Sequence, residues 1–423
     1  MIIGRLVSLP SRRLAATLWA ALGLLCSSPV VLAGALPDST WTALTPLPRQ
    51  AGAAVFALAV DPNNNQVVLA GTSSGALFRS TDGGSTWSAV SSAGSQITTL
   101  AFSPFKAGLV LAGTQSSGAL GSVDGGATWA PATGVEGRSV RAFGFALTLF
   151  VAGTDRGVYL SQDGQAWTAS GLTNVSIDAV AVEAIHPPAR LVAGGAAVGQ
   201  SPSFTLYQST DSGSTWTPFN PSVSGTIAIK MVAPSGPLPP NVGTRPLLVG
   251  TNAGLFASND NASTFTPLSG GELLPSIDYT QAAFISNHFD RFYAASDGGG
   301  SGSGGLWRTD DAGSSFRSLN PPIPSITALA VSSDESPTLY VATFSPSDHL
   351  AELWAYHDTG GLPQGPVLSP APPVSAARTG ASTAGTDVLQ LIKSPQFPYI
   401  ALGVVALMVL VGAGVAHVRG RRH

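Results

Sequence analysis

Apolar runs of five or six residues, separated by clusters of Gly, Ser, Asn, Asp and Pro, follow one another through the middle of the chain. The first unit reads Val55-Phe56-Ala57-Leu58-Ala59-Val60, then Val67-Val68-Leu69-Ala70-Gly71-Thr72, Gly75-Ala76-Leu77-Phe78-Arg79-Ser80 and Thr86-Trp87-Ser88-Ala89-Val90. Runs this short, bounded by turn formers, predict β-strands rather than helices. The opening run returns at Ile97 to Phe102, Val140 to Phe145, Ile177 to Val182, Ile227 to Val232, Tyr279 to Phe284 and Ile326 to Val331. A four-stranded unit recurring every 40 to 50 residues or so predicts a β-propeller in which each unit is one blade.

A second pattern lies between the third and fourth strands of each unit. Ser80-Thr81-Asp82-Gly83-Gly84-Ser85-Thr86-Trp87 recurs as Ser122-Val123-Asp124-Gly125-Gly126-Ala127-Thr128-Trp129 and as Ser209-Thr210-Asp211-Ser212-Gly213-Ser214-Thr215-Trp216. Looser copies are Ser161-Gln162-Asp163-Gly164-Gln165-Ala166-Trp167, one residue shorter, Ser258-Asn259-Asp260-Asn261-Ala262-Ser263-Thr264-Phe265, and Thr309-Asp310-Asp311-Ala312-Gly313-Ser314-Ser315-Phe316. There are thus six motifs for seven opening strands. The seventh unit passes through Thr338 to Thr343 and Ala351 to Tyr356 and meets a Pro-rich segment with no motif and no fourth strand. Ser39-Thr40-Trp41-Thr42-Ala43-Leu44, near the start of the chain, matches the motif's tail and is expected to supply that strand, closing the ring and removing an exposed sheet edge. The expected fold class is all-β, a seven-bladed β-propeller of four-stranded blades over residues 36–360.

The motif resembles the Asp-box, or BNR, repeat of sialidases, other glycoside hydrolases, sortilin-type sorting receptors and photosystem II assembly factors, over essentially all of residues 38–360. The resemblance implies that Asp82, Asp124, Asp163, Asp211, Asp260 and Asp311 are structural. Each would turn one hairpin on the face opposite the ligand entrance, so six carboxylates in six blades cannot converge. A short carboxylate in such a turn accepts hydrogen bonds from nearby backbone N–H groups. Gly84, Gly126, Gly213 and Gly313 suit positive φ there, and the closing Trp or Phe is expected between neighbouring blades.

Both ends carry membrane-related patterns. Residues 1–35 read as a secretory signal, with Arg5, Arg12 and Arg13 before an apolar stretch from Leu14 to Leu25 and a small-residue site at Ala33-Gly34-Ala35. Residues 361–396, rich in Pro, Ala, Ser, Thr and Gly, form an extended linker. Phe397 to Val418 is apolar for about the 20 residues a helix needs to span a bilayer, and Arg419, Arg421 and Arg422 place the tail, 419–423, in the cytoplasm. The expected location is the cell membrane, with a single C-terminal transmembrane helix and the propeller outside.

Charged residues make up 10% of the chain and the formal net charge is -3, with basic runs only at the ends, which excludes a nucleic-acid partner. The one cysteine, Cys26, lies in the signal, so neither disulfides nor thiol catalysis enters. The six histidines form no pair at metal-ligand spacing, and no metal or cofactor is expected. Gly298 to Gly305 has no lysine after it and reads as a loop, not a phosphate cradle.

A ligand site belongs on the other face, on loops joining fourth to first and second to third strands. The candidate residues there are Glu136, Arg138, Arg141, Asp155, Arg156 and Asp278, with Asp178 and Asp297 nearby. No catalytic residue is assigned. The sialidase set of three arginines, a Tyr–Glu pair and a further acid is not recognisable, and Tyr279 beside Asp278 stands alone. The sequence therefore points to a monomeric, membrane-tethered binding or scaffold module for a protein, peptide or glycan. The alternatives are a sialidase-like glycoside hydrolase, which needs two carboxylates facing each other, and an assembly factor for a membrane complex.

Overall fold

Strands form where the apolar runs predict them. In the computed structural model, 28 strands among the described residues make seven separate four-stranded antiparallel sheets. The structure describes residue 36 and residues 38–360, apart from 49–52, 202–203, 220–227, 235–245, 261, 286–287, 301–302, 346 and 349. The expected signal, linker, membrane span and tail lie outside the described residues. Among the described residues no helix is long and apolar enough to cross a membrane.

The first blade pairs Val55–Asp61, Asn64–Thr72, Ala76–Ser80 and Ser88–Ser92 in chain order, and the next five repeat that order. The opening strands Ile97–Phe102, Val140–Phe145 and Ile326–Val331 match the sequence reading, whereas the others are Val175–Ala184, Ile229–Pro234 and Gln281–Ile285. Tyr279 falls outside its expected strand: its N–H donates to the Thr251 carbonyl of the preceding blade at 3.0 Å, and its buried hydroxyl donates to the Leu274 carbonyl at 2.7 Å. Each opening strand packs beside the next, and that of the seventh blade packs beside that of the first, so the ring is closed. Outer edges are blunted by proline, which has no N–H to offer a further strand, at Pro131, Pro218 and Pro267.

The seventh sheet runs Trp41–Ala43, Leu350–His357, Thr338–Ser345, Ile326–Val331. Trp41 pairs with Tyr356, Thr42 with Ala355 and Ala43 with Trp354, as the closure argument requires. Each seam between blades has its own apolar core, and the motif aromatic of a blade enters the seam with the blade before it. Trp167 is buried with Leu111 and Val140, Phe265 with Phe204 and Ala181, and Phe316 with Leu248 and Phe292. Trp41 does the same between blades six and seven and donates its indole N–H to the Leu319 carbonyl at 2.8 Å. A side chain such as Phe265 or Phe316 contributes about 1.5–3 kcal/mol by leaving water.

The repeated aspartates are turn elements. Asp211 Oδ1 accepts from the Ser209 hydroxyl at 2.8 Å and the Thr215 N–H at 2.9 Å, and Oδ2 from the Thr215 hydroxyl at 2.6 Å. Asp260 repeats this with Ser258 and Thr264. The shorter copy keeps the serine bond, Asp163 accepting from the Ser161 hydroxyl at 3.0 Å, and takes the N–H groups of Gln165 and Ala166 where the others take a threonine or serine. Gly84 takes φ +85° in its turn, and Ala262 accepts φ +64° at the equivalent place in the fifth blade while remaining buried.

The threonine hydroxyl first, then its N–H, holds the carboxyls of Asp211 and Asp260 down to about 2 from 3.8. Because the charged form makes these bonds, the stabilisation is complete above the unfolded value and is lost as pH falls through the folded one. Urea unfolding should therefore show stability dropping between about pH 4 and pH 2. The double variant Asp211→Asn/Asp260→Asn should flatten that slope, and an unchanged slope would contradict this role.

A further repeat escapes the motif reading. The second strands end in Ala70-Gly71-Thr72, Ala112-Gly113-Thr114, Ala152-Gly153-Thr154 and Val249-Gly250-Thr251. The glycine lets the next blade's opening strand approach, since a Cβ on Gly113 would lie 2.5 Å from the Val140 carbonyl oxygen. The buried threonine then ties the turn, as Thr251 does by donating to the Gly254 carbonyl at 2.8 Å.

The end of the propeller is fastened to the sixth blade by a buried ionic cluster. Arg308 donates to Asp358 at 2.6 and 2.8 Å and also binds Asp310, while the Tyr293 hydroxyl donates to Asp358 at 2.6 Å. Arg291 binds Asp310 and donates to the Gly360 carbonyl at 2.8 Å. Arg291, Tyr293 and Asp358 are fully buried. Burial, and next the Asp358 charge, push the Tyr293 hydroxyl far above the ordinary tyrosine range, so it stays a donor.

Candidate ligand site at the channel mouth

In six blades the pairing slips by one residue near the start of the opening strand. The residue left over is Phe56, Thr98, Arg141, Asp178, Lys230 or Thr327. Such a bulge frees one residue from the ladder and re-aims its side chain. Thr280 holds the corresponding place in the sixth blade. All but Thr327 line a central cavity of about 370 Å³, with Leu58, Leu100, Phe143, Val180, Val232 and Leu329 on the same strands.

These side chains stitch neighbouring opening strands together. The Arg141 guanidinium donates to the Ser139 hydroxyl at 3.3 Å, to that of Ser176 at 2.6 Å, and to Asp178. The Thr98 hydroxyl donates to the Val140 carbonyl and that of Thr327 to the Val55 carbonyl at 2.6 Å. Gln281 donates to the Thr327 carbonyl at 3.1 Å and accepts from the Leu329 N–H at 2.6 Å. Lys230 Nζ lies 3.6 Å from Asp278 Oδ2. Burial pushes the Asp178 carboxyl above its ordinary value, and Arg141 and then Lys230 pull it partway back. Charge alternates along this arc, Arg141, Asp178, Lys230, Asp278, while Phe56 stands in the first blade on the other side of the ring.

The structure divides the six residues singled out from sequence. Arg141 lines the channel, and Asp278 reaches its rim through Lys230. The other four belong to loops of the third blade. Arg138 pairs with Asp155 at 3.5 Å, and Asp155 also accepts from the Ser139 N–H at 3.1 Å. Glu136 is exposed and accepts from the Gly134 N–H at 2.8 Å; its own N–H, then that of Gly134, lowers its carboxyl below the usual range. Arg156 is exposed. Asp297 turns the Gly298–Gly300 segment, accepting from the Gly299 N–H at 2.9 Å.

Lys230 is the channel residue that the sequence reading passes over. Its signal was available, a charge inside Ile229-Lys230-Met231 at the place of Arg141 in Val140-Arg141-Ala142. Tyr279 is no nucleophile, because its hydroxyl is committed to Leu274 and burial raises its pKa well above the ordinary value. Among the described residues no group of three or more His, Cys, Asp or Glu side chains could hold a metal ion.

No protein-family model matches the chain, and no curated protein matches it in sequence. Solved structures do match its fold. YCF48 from Cyanidioschyzon merolae is 18% identical with a TM-score of 0.51, over 75% of this chain and 98% of that one. A structure of YCF48 bound to D1 peptide is 16% identical with a TM-score of 0.50, over 76% of this chain and 95% of that one. The GH74 xyloglucanase from Xanthomonas campestris is 15% identical with a TM-score of 0.52, over 75% of this chain. The chain spans only 56% of that enzyme's length. At these identities the likeness is one of fold, an all-β seven-bladed propeller of four-stranded blades.

Proposed function

We propose that the chain is a non-catalytic binding module of the Asp-box type, held outside the cell by its C-terminal segment, that takes a peptide at the channel mouth. The observation that carries this reading is the bulge ring, which sets side chains of several chemistries from different blades around one opening. Its channel carboxylates, Asp178 and Asp278, are each paired with a cation, which suits recognition better than proton transfer. The fold likeness extends over nearly the full length of YCF48, whose structure with D1 peptide shows that such a propeller can hold a peptide, but over about half of the xyloglucanase. A hydrolase reading has the weaker support.

The test is a peptide-display selection on the full chain in detergent, with chromogenic glycosides assayed in parallel. Enriched peptides should bind the Arg141→Met/Lys230→Met double variant at least about tenfold more weakly, a loss near 1.4 kcal/mol. Glycoside turnover that disappears in Asp178→Asn or Asp278→Asn would replace the binding reading with an enzymatic one.

A further inference from the structure

Lys230 and Thr280 lie in adjacent blades and both line the channel. The two cations of the ring differ in how far they are committed. Among the described residues Arg141 has three partners, whereas the Lys230 ammonium has one contact, at 3.6 Å, beyond hydrogen-bonding distance. The Thr280 hydroxyl is buried with no hydrogen-bond partner among the described residues. A ~120° step about χ1 carries a threonine's hydroxyl to another staggered position, so Thr280 can turn the hydroxyl toward a ligand that satisfies it.

Acidic neighbours stand on both sides of Lys230, Asp278 in the next blade and Asp178 in the one before. With Arg141 the four charges cancel. An incoming carboxylate meets two carboxylates, and an incoming ammonium meets two cations. A carboxamide meets neither obstacle, because its oxygen accepts from Lys230 and Thr280 while its two N–H donors serve Asp278 or Asp178. We infer that this corner of the channel mouth is a carboxamide subsite, which holds an Asn or Gln side chain of the bound peptide. The inference rests on the peptide-binding reading above and narrows it.

Met231 gives the experiment a reporter. It lines the channel next to Lys230, and the chain has three methionines, Met1, Met231 and Met408. The full chain in detergent, labelled with methyl-¹³C methionine and assigned with Met231→Leu, is titrated with acetylated, amidated Ala-Gln-Ala, Ala-Glu-Ala and Ala-Lys-Ala, and separately with a xyloglucan oligosaccharide. The Gln peptide should shift the Met231 methyl signal saturably and bind about tenfold more tightly than the Glu and Lys peptides. Lys230→Met should weaken it about tenfold.

Thr280→Val should also weaken it while raising the melting temperature, since it deletes a partnerless buried hydroxyl; a threonine needed only by the fold would lower that temperature. If the Glu or Lys peptide binds as well as the Gln peptide, or Thr280→Val leaves affinity unchanged, the subsite is overturned and peptide binding stands. If only the oligosaccharide moves Met231, both readings fall. If all probes leave it unmoved while selected peptides still bind the full chain, the subsite alone is refuted.

Discussion

Replacing Asp358 with alanine is expected to remove about 3–5 kcal/mol of stability, the cost of taking one carboxylate out of a buried cluster and leaving Arg291 and Arg308 to share Asp310. Asp358 is fully buried and takes both Arg308 contacts and the Tyr293 hydroxyl on its two oxygens. Arg308 is itself 4% exposed, so no solvent can replace the lost carboxylate. The same physics predicts that the paired change Arg308→Met/Asp358→Leu costs much less than Asp358→Ala alone, because it removes both desolvated charges. Urea unfolding of the three proteins measures this. A loss below about 1 kcal/mol for Asp358→Ala would show that the cluster does not bear on stability.

The second large effect concerns closure of the ring. A chain shortened to begin after Ala43 lacks the strand that pairs with Trp354–Tyr356, so that Leu350–His357 becomes the open edge of its sheet. It also lacks Trp41, which fills the seam between blades six and seven, and truncating a packed tryptophan costs about 3–5 kcal/mol. The shortened protein should melt well below the parent and associate through the open edge, read as dimers or larger species by light scattering. A monomer with the parent's melting temperature would mean that the closing strand is dispensable. Adding a synthetic peptide of residues 38–48 should restore the monomer.

Much of the fold was legible because it rests on repetition. Six motifs and seven opening strands fix the blade count, and the likeness of Trp41-Thr42-Ala43 to a motif tail fixes the closure. The site was half legible. Arg141 and Asp278 stand out as charges near opening strands, and Lys230 aligns with Arg141 once the fifth opening strand is placed at Ile229–Pro234 rather than two residues earlier. The bulge that turns these residues into the channel is a one-residue slip between paired strands, and spacing along a single strand carries no trace of it. The cluster around Asp358 was not legible at all. Arg291 meets Gly360 from 69 positions away, so the fold alone brings them together.

The bolted end of the last blade has a mechanical consequence. Leu350–His357 runs straight into Asp358 and Gly360, so traction on the chain beyond residue 360 would by itself peel that strand from its sheet one hydrogen bond at a time. Arg291, through its hydrogen bond to the Gly360 carbonyl, and Arg308, through its ion pair with Asp358, intercept the force first. The load is therefore passed first into the sixth blade.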